Sequence, residues 1–334
     1  MPNWITPACD HNLAKLIGGK FSAYERTHPN AFPDLRGDPA LVLASDYSGD
    51  HQESQWQVLS FILTSLPGLL QRWDAPRALV REQHFMGDRR HAFKKLGDAV
   101  RQRALIPFLH ASSVINGVVL CVAVHKSVHS HFGINFRNLD GLKPLVMAKL
   151  TRIAALGSIL TSGLSKAGQE FHWTTDDDEI VANEKAQDIA GKVLAGAIQL
   201  FCPHGFQDSA FGIASKFEDG RCAEDLCAIP DLVGGAVVET LGALQGVIPE
   251  SSHLFTPVLS VLPTKVQILS SWISSIATGR YPLKYMFAII RDAGEGRLLF
   301  SFATPETEFN PPGYTNLWTP LDKGWRKALE AALV

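Results

Sequence analysis

Short apolar runs alternate along this chain with segments whose apolar residues recur every three or four positions. That alternation confines the fold to the α/β class. The runs lie at residues 40–46, 56–64, 78–85, 118–124, 171–175, 211–217, 285–290 and 298–302. The first contains an unbroken Leu-Val-Leu-Ala, which suits a central strand buried on both faces. Ser48-Gly49-Asp50 then breaks the run before residues 56–64, so the first two strands read as a hairpin. A second hairpin is expected where Asp-Ala-Gly-Glu-Gly separates the last two runs.

Helices are expected near residues 12–24 and over 89–105, where Phe93, Leu96 and Val100 share a face and Pro107 should kink or stop the segment. A helix opening at Pro144 and running to about Leu160 is apolar nearly all round, which predicts burial between layers. Asn183 caps a helix with Ile189, Val193 and Ala197 on one face. Residues 231–244 form another, with Pro230 at its start. A last one, carrying Val266, Leu269, Trp272 and Ile276, is capped by Thr264 and stopped at Gly279.

With 31 Lys and Arg against 33 Asp and Glu the net charge is −2, so any nucleic-acid contact must come from a local basic patch. The amino terminus lacks a basic stretch followed by an apolar core, and apolar runs such as 118–124 fall well short of the roughly 18 residues a bilayer span requires. The five cysteines form no Cys-x-x-Cys, and Cys121 lies inside an apolar run. These features predict a cytoplasmic, reduced chain that does not engage a membrane.

Three acidic positions fall where chemistry would place them. Asp46 closes the first strand, and ligands of open α/β sheets bind beyond strand carboxyl ends. The bland alternative is an Asx-turn with Ser48 and Gly49. Asp176, Asp177, Asp178 and Glu179 repel one another unless solvated or bound to a cation; strand periodicity separates Asp177 from Asp176 and Asp178. A solvated turn is the bland reading there. Asp231 precedes Gly234, Gly235 and Ala236, small residues that permit close helix packing, and Glu239 lies two turns further on. Its bland reading is helix-dipole capping.

The order of these elements resembles the ribonuclease H-like superfamily: a hairpin whose first strand ends in Asp, a further strand, helix, strand, helix, an acidic strand end, and an acidic late helix. More narrowly, SDYSGDHQESQWQVLSFIL is similar to the opening of an uncharacterised bacterial family whose first strand carries Asp-Glu-Ser-Gly, and LCAIPDLVGGAVVE is similar to that family's late helix. The resemblance spans about residues 40–245. It implies a ribonuclease H-like mixed sheet flanked by helices. Residues 1–38 would be an N-terminal extension, residues 39–245 the core, and residues 246–334 a C-terminal helix and β-hairpin addition.

The resemblance implies a nuclease with a two-metal site built on Asp46, on Asp176 or Asp178, and on Asp231, with Glu239 a further ligand. Mg²⁺ or Mn²⁺ would be the cofactor. Tyr47 replaces the family's Glu, and Pro230 replaces its Ala. The lost acid leaves open a degenerate site, in which the chain serves as a binding or assembly module with a protein partner or as a homo-oligomer. A partner would then be sought on an apolar patch around Trp272 and Ile276. Glu82 is a weaker acidic candidate, best read as a surface residue. Arg89, Arg90, Lys94 and Lys95, joined by Arg101 and Arg103, are either a solvated face or the nucleic-acid contact. His125, His129 and His131 lack a zinc-site pattern.

Overall fold

The computed structural model describes residues 2–128, 142–217, 220–243, 262–292 and 298–303. Its strands are β1 (Ala40–Ser48), β2 (Trp56–Ser65), β3 (Gly117–His125), β4 (Glu170–Thr175), β5 (Asp208–Ile213), β6 (Leu283–Asp292) and β7 (Leu298–Ala303). The helices are α1 (Asn12–Thr27), α2 (Leu66–Arg72), α3 (Asp74–Gln83), α4 (Ala99–Ser112), α5 (Pro144–Leu164), α6 (Glu184–Phe201), α7 (Gly220–Ala243) and α8 (Thr264–Ala277).

The strands form one mixed sheet in the order β5-β4-β1-β2-β3-β6-β7. β1, β2 and β3 are successively antiparallel. β4 runs parallel to β1 on its other edge, and β5 parallel to β4. β6 joins β3 in parallel and turns back as β7, so the expected C-terminal hairpin continues the sheet.

Alternation along β1 sends Leu41, Leu43 and Tyr47 into one core with α1, α5 and α6. Val42 and Ala44 enter a second core, built from α2–α4, α7 and α8 on the opposite face. α5 and α7 are long and apolar enough to cross a membrane by length and composition, but most of each is buried against this sheet. α5 is sandwiched as its all-round apolarity requires, and Gly157 makes the approach: a Cβ there would lie 2.3 Å from the Trp173 ring. Asn183 caps α6 by accepting the Ala186 amide at 2.9 Å.

Several expectations fail locally. Residues 78–85 are not a strand. They lie in α3 and its end, where Asp74 and Pro76 open the helix and Arg77 and Val80 turn inward together. Residues 89–105 are not one helix: Phe93–Lys95 make a single 3-10 turn, and α4 begins only after Asp98 caps it. Pro230 sits inside α7 instead of opening it, and Pro107 sits inside α4, which runs on to Ser112. An interior proline costs about 3 kcal/mol or more. In α7 the burial of Leu226, Ile229, Leu232, Val233, Ala236 and Val237 outweighs it. The strand expected over residues 211–217 starts earlier, at Asp208, and residues 214–216 are a 3-10 turn. Trp272 and Ile276 form no exposed patch: both are buried, and Trp272 donates to Ser113 Oγ at 2.9 Å.

Candidate functional site

Parallel pairing matches Ala44 with Thr174 and Ser45 with Thr175, and the Asp176 amide donates to the Ser45 carbonyl at 3.4 Å. Asp46 and Asp176 therefore stand at the carboxyl ends of neighbouring strands, on the face that α7 covers. Asp46 is not in a turn; it pairs with Ser60 within the β1–β2 ladder, which removes the Asx-turn explanation.

α7 reaches this face through its small residues. A Cβ on Gly234 would lie 2.8 Å from Ser60 Oγ, and one on Gly235 only 2.2 Å from the Phe93 ring. Asp231, one turn earlier, lies on the same side of the helix. Its Oδ2 accepts the Phe93 amide at 2.7 Å. Because α7 begins at Gly220, Asp231 is in mid-helix, where dipole capping does not account for it.

Asp176 raises the pKa of both Asp46 and Asp231, and Asp231 that of Asp46. Burial, then the charges of Asp231, Asp176 and Asp178, hold Asp46 well above the usual carboxylate range, with Lys149 opposing. Its carboxylate accepts no hydrogen bond among the described residues. Burial and Asp176 push Asp231 up to about 6 against the Phe93 amide, Lys94 and Lys265. Burial also raises Asp176, although the Asp177 amide and Arg90 hold its charge.

Cations border the group. Arg90 donates to Asp176 Oδ1 at 2.9 Å and to Asp177 Oδ2 at 3.1 Å, and its Nε lies 2.8 Å from Glu224 Oε1. Lys265 Nζ stands 3.9 Å from the Phe93 ring centre. Lys94 and Lys95 are exposed on the 3-10 turn. Arg89 is exposed too, with its Nε 4.0 Å from Asp98.

Asp178 goes elsewhere. One oxygen accepts the Ile180 amide at 3.1 Å, and the other meets Lys149 Nζ at 2.9 Å on the α5 side of the sheet. Lys149 is 1% exposed; it also pairs with Asp50 and lies 5.3 Å from the centre of the Tyr47 ring. Tyr47 points to this side and bonds Ser45 Oγ at 2.7 Å. The acid that the resemblance expects at position 47 would thus not share Asp46's face. Glu239 is exposed on α7 and Glu82 on α3, and neither is among the main charges acting on the three carboxyls. His129 and His131 lie outside the described residues, and His125 Nδ1 is 2.6 Å from Ser127 Oγ.

Sequence reasoning passed over Lys265, Glu224, Asp50 and Lys149. Only Lys149 carried a signal, as one of two charges in an otherwise uncharged 21-residue helix. The carboxylate-only donor chemistry fits a hard dication, whose charge would relieve the mutual repulsion. Among the described residues, however, no three His, Cys, Asp or Glu groups stand close enough together to hold a metal ion as they are.

No family model, curated protein or solved structure matches the chain.

Proposed function

We propose that this protein is a ribonuclease H-like nuclease that hydrolyses DNA or RNA phosphodiesters, with Asp46, Asp176 and Asp231 holding Mg²⁺ or Mn²⁺. The observation that carries the reading is Asp46: a half-buried carboxylate with no hydrogen bond among the described residues, under the negative charges of Asp231 and Asp176 at one strand end. A fold retains such a group against its own stability where it has a use. The order of elements supports the same reading. An antiparallel hairpin and third strand are followed by helix, parallel strand, helix, parallel strand and an acidic helix, with α2–α4 inserted between β2 and β3.

A bound dication would polarise the phosphodiester and lower the pKa of an attacking water. The chain's own groups do the rest. The Phe93 amide orients Asp231. Lys94 and Lys265 supply positive charge at the rim for the phosphates. Asp178 is committed to Lys149, so Asp176 takes the mid-chain role.

One observation favours the second reading, a binding or assembly module without catalysis. Arg90 already neutralises Asp176, Asp177 and Glu224, as a resident cation would.

Calorimetric titration with Mg²⁺ and Mn²⁺, beside cleavage of labelled single- and double-stranded DNA and RNA, separates the two. The nuclease reading expects wild-type binding and cleavage, loss of both in Asp46→Asn, and metal binding at least as tight in Arg90→Gln. Wild-type protein that neither binds metal nor cleaves leaves the module, and light scattering then tests for a homo-oligomer.

A further inference from the structure

A second polar group stands at the same edge of the sheet, away from the three carboxyls. β3 and β6 run in the direction of β1, so all three strands end at this edge, where β2 begins. Trp56 opens β2 and pairs with His125, the last residue of β3. Val124 pairs with Ile290, which sets Arg291 beside His125 on the next strand. Alternation from the buried Ala123 and Ile289 turns His125 and Arg291 to the α7 face, the face of Asp46.

Both side chains rest on the buried Trp56 ring. His125 meets it edge-on with ring centres 4.9 Å apart, and Arg291 Cζ lies 5.9 Å from its centre. Arg291 Nε is buried and has no hydrogen-bond partner among the described residues. His125 Nδ1 accepts the Ser127 amide at 3.2 Å, which leaves the proton of the neutral ring on Nε2. Nε2 has no partner among the described residues. The adjacent Lys126 adds positive charge, its Nζ donating to the His51 carbonyl at 2.7 Å. Among the described residues no carboxylate forms an ion pair with Arg291, His125 or Lys126; Asp50, which acts on Lys126 from a distance, is paired with Lys149. The Arg291 charge instead bears on His125 and, with burial, lowers its pKa.

We infer that Arg291 and His125, backed by Trp56, bind a phosphate group, and that this group is a backbone phosphate of the nucleic-acid strand that reaches the acidic site. The second half of the inference rests on the nuclease reading. Neighbouring cations without a counter-charge repel one another, and an anion between them reverses the sign of that interaction. A guanidinium fork takes two phosphate oxygens and an imidazole N–H a third. The register fixes the span. Asp46, Ser60, Cys121 and Phe287 lie in one row across the sheet, and Arg291 is four residues beyond Phe287. Three strand spacings and four residue rises put its backbone about 20 Å from that of Asp46. In a duplex that is about six base pairs, so the phosphate held here lies well away from the bond cleaved at Asp46.

The test is run in EDTA, so that metal and cleavage play no part. In the wild-type protein, inorganic phosphate and labelled oligo(dT) should each move the NMR signals of the His125 imidazole and leave those of the exposed His28 in place. Arg291→Gln and His125→Gln should each weaken binding of oligo(dT) and of a mixed-sequence duplex roughly 10-fold. Arg291→Gln should also make the salt dependence less steep, by about 0.7 in slope for the single strand and about 0.9 for the duplex. Arg291→Lys keeps the charge and loses the fork, so it should keep the slope and lose part of the affinity. Arg26→Gln, which removes an exposed arginine from α1, should leave affinity and slope nearly unchanged.

His125 signals that neither phosphate nor oligonucleotide moves overturn the inference, whether or not any variant folds. Equal losses in Arg26→Gln and Arg291→Gln reduce the effect to net charge and overturn it as well. Signals that phosphate moves, with oligonucleotide affinity unchanged in Arg291→Gln, establish a site for free phosphate and overturn its assignment to a nucleic-acid strand. Because the assay contains no metal, a chain that fails to cleave but binds oligonucleotide through Arg291 refutes the nuclease reading alone.

Discussion

Asp231→Asn keeps an acceptor for the Phe93 amide and removes a charge that the fold holds at a cost. In the folded protein burial and Asp176 push this carboxyl up to about 6, against roughly 3.9 in an unfolded chain. The folded state therefore binds the proton more tightly. The carboxyl's contribution to stability is full at and below the unfolded value and is lost as pH rises through the folded one. A shift of about two units corresponds to roughly 3 kcal/mol at most. Asp231 is partly exposed and shares its field with Asp46 and Asp176, so about 1–2 kcal/mol is the expected net.

At about 2.1 cal/mol/K per residue, a chain of 334 residues moves about 1.4 °C in Tm for each kcal/mol. In EDTA at about pH 8 the asparagine variant should melt about 1.5–3 °C above wild type, and the gap should close near pH 4. Scanning calorimetry across that range measures it. Added Mg²⁺ or Mn²⁺ should then raise the wild-type Tm and leave the variant's unchanged. A variant that melts at or below wild type at about pH 8, with no dependence of the gap on pH, refutes the argument that this carboxylate is held ionised against its surroundings.

Two further substitutions test the frame around the site. Asp225 is fully buried between Arg77 at 3.0 Å and Arg81 at 2.7 Å. Asp225→Ala strands two guanidiniums and should cost about 3–5 kcal/mol in urea unfolding, with Asp225→Asn losing less. Gly235→Ala drives a methyl into the Phe93 ring, 2.2 Å away. It should cost about 1–3 kcal/mol and, by displacing the Phe93 amide from Asp231, weaken Mn²⁺ binding measured by calorimetry.

The sequence marked the strands with dense apolar runs, because β1, β2 and β3 are buried on both faces and tolerate little else. It marked α5 by its all-round apolarity and the start of α6 by Asn183. Asp46 and Asp231 stood out as acids beside apolar or small residues. It misread residues 78–85, because Ala-Leu-Val is as compatible with a buried strand as with one helical turn; the burial of Arg77 on Asp225, contributed by a helix far along the chain, decides between them. It placed a helix start at Pro230 and a kink or stop at Pro107 because local rules penalise interior prolines, whereas buried apolar area against the sheet carries α7 straight through.

What no local pattern could supply was the choice among neighbours. Asp176 and Asp178 are equivalent on strand periodicity. Only the end of β4 and the buried ammonium of Lys149 send one to the Asp46 face and the other to the opposite face. The cations belong to the same category. Arg90 and Lys265 meet the carboxyls because the β2–β3 insertion and α8 converge on α7, contacts of 86 and 172 residues' separation for Arg90 with Asp176 and Lys265 with Phe93. Residue type and spacing determined which groups were available for chemistry. Tertiary packing determined which of them came together half-buried, and that partial loss of water is the largest cause raising the pKa of Asp46, Asp176 and Asp231.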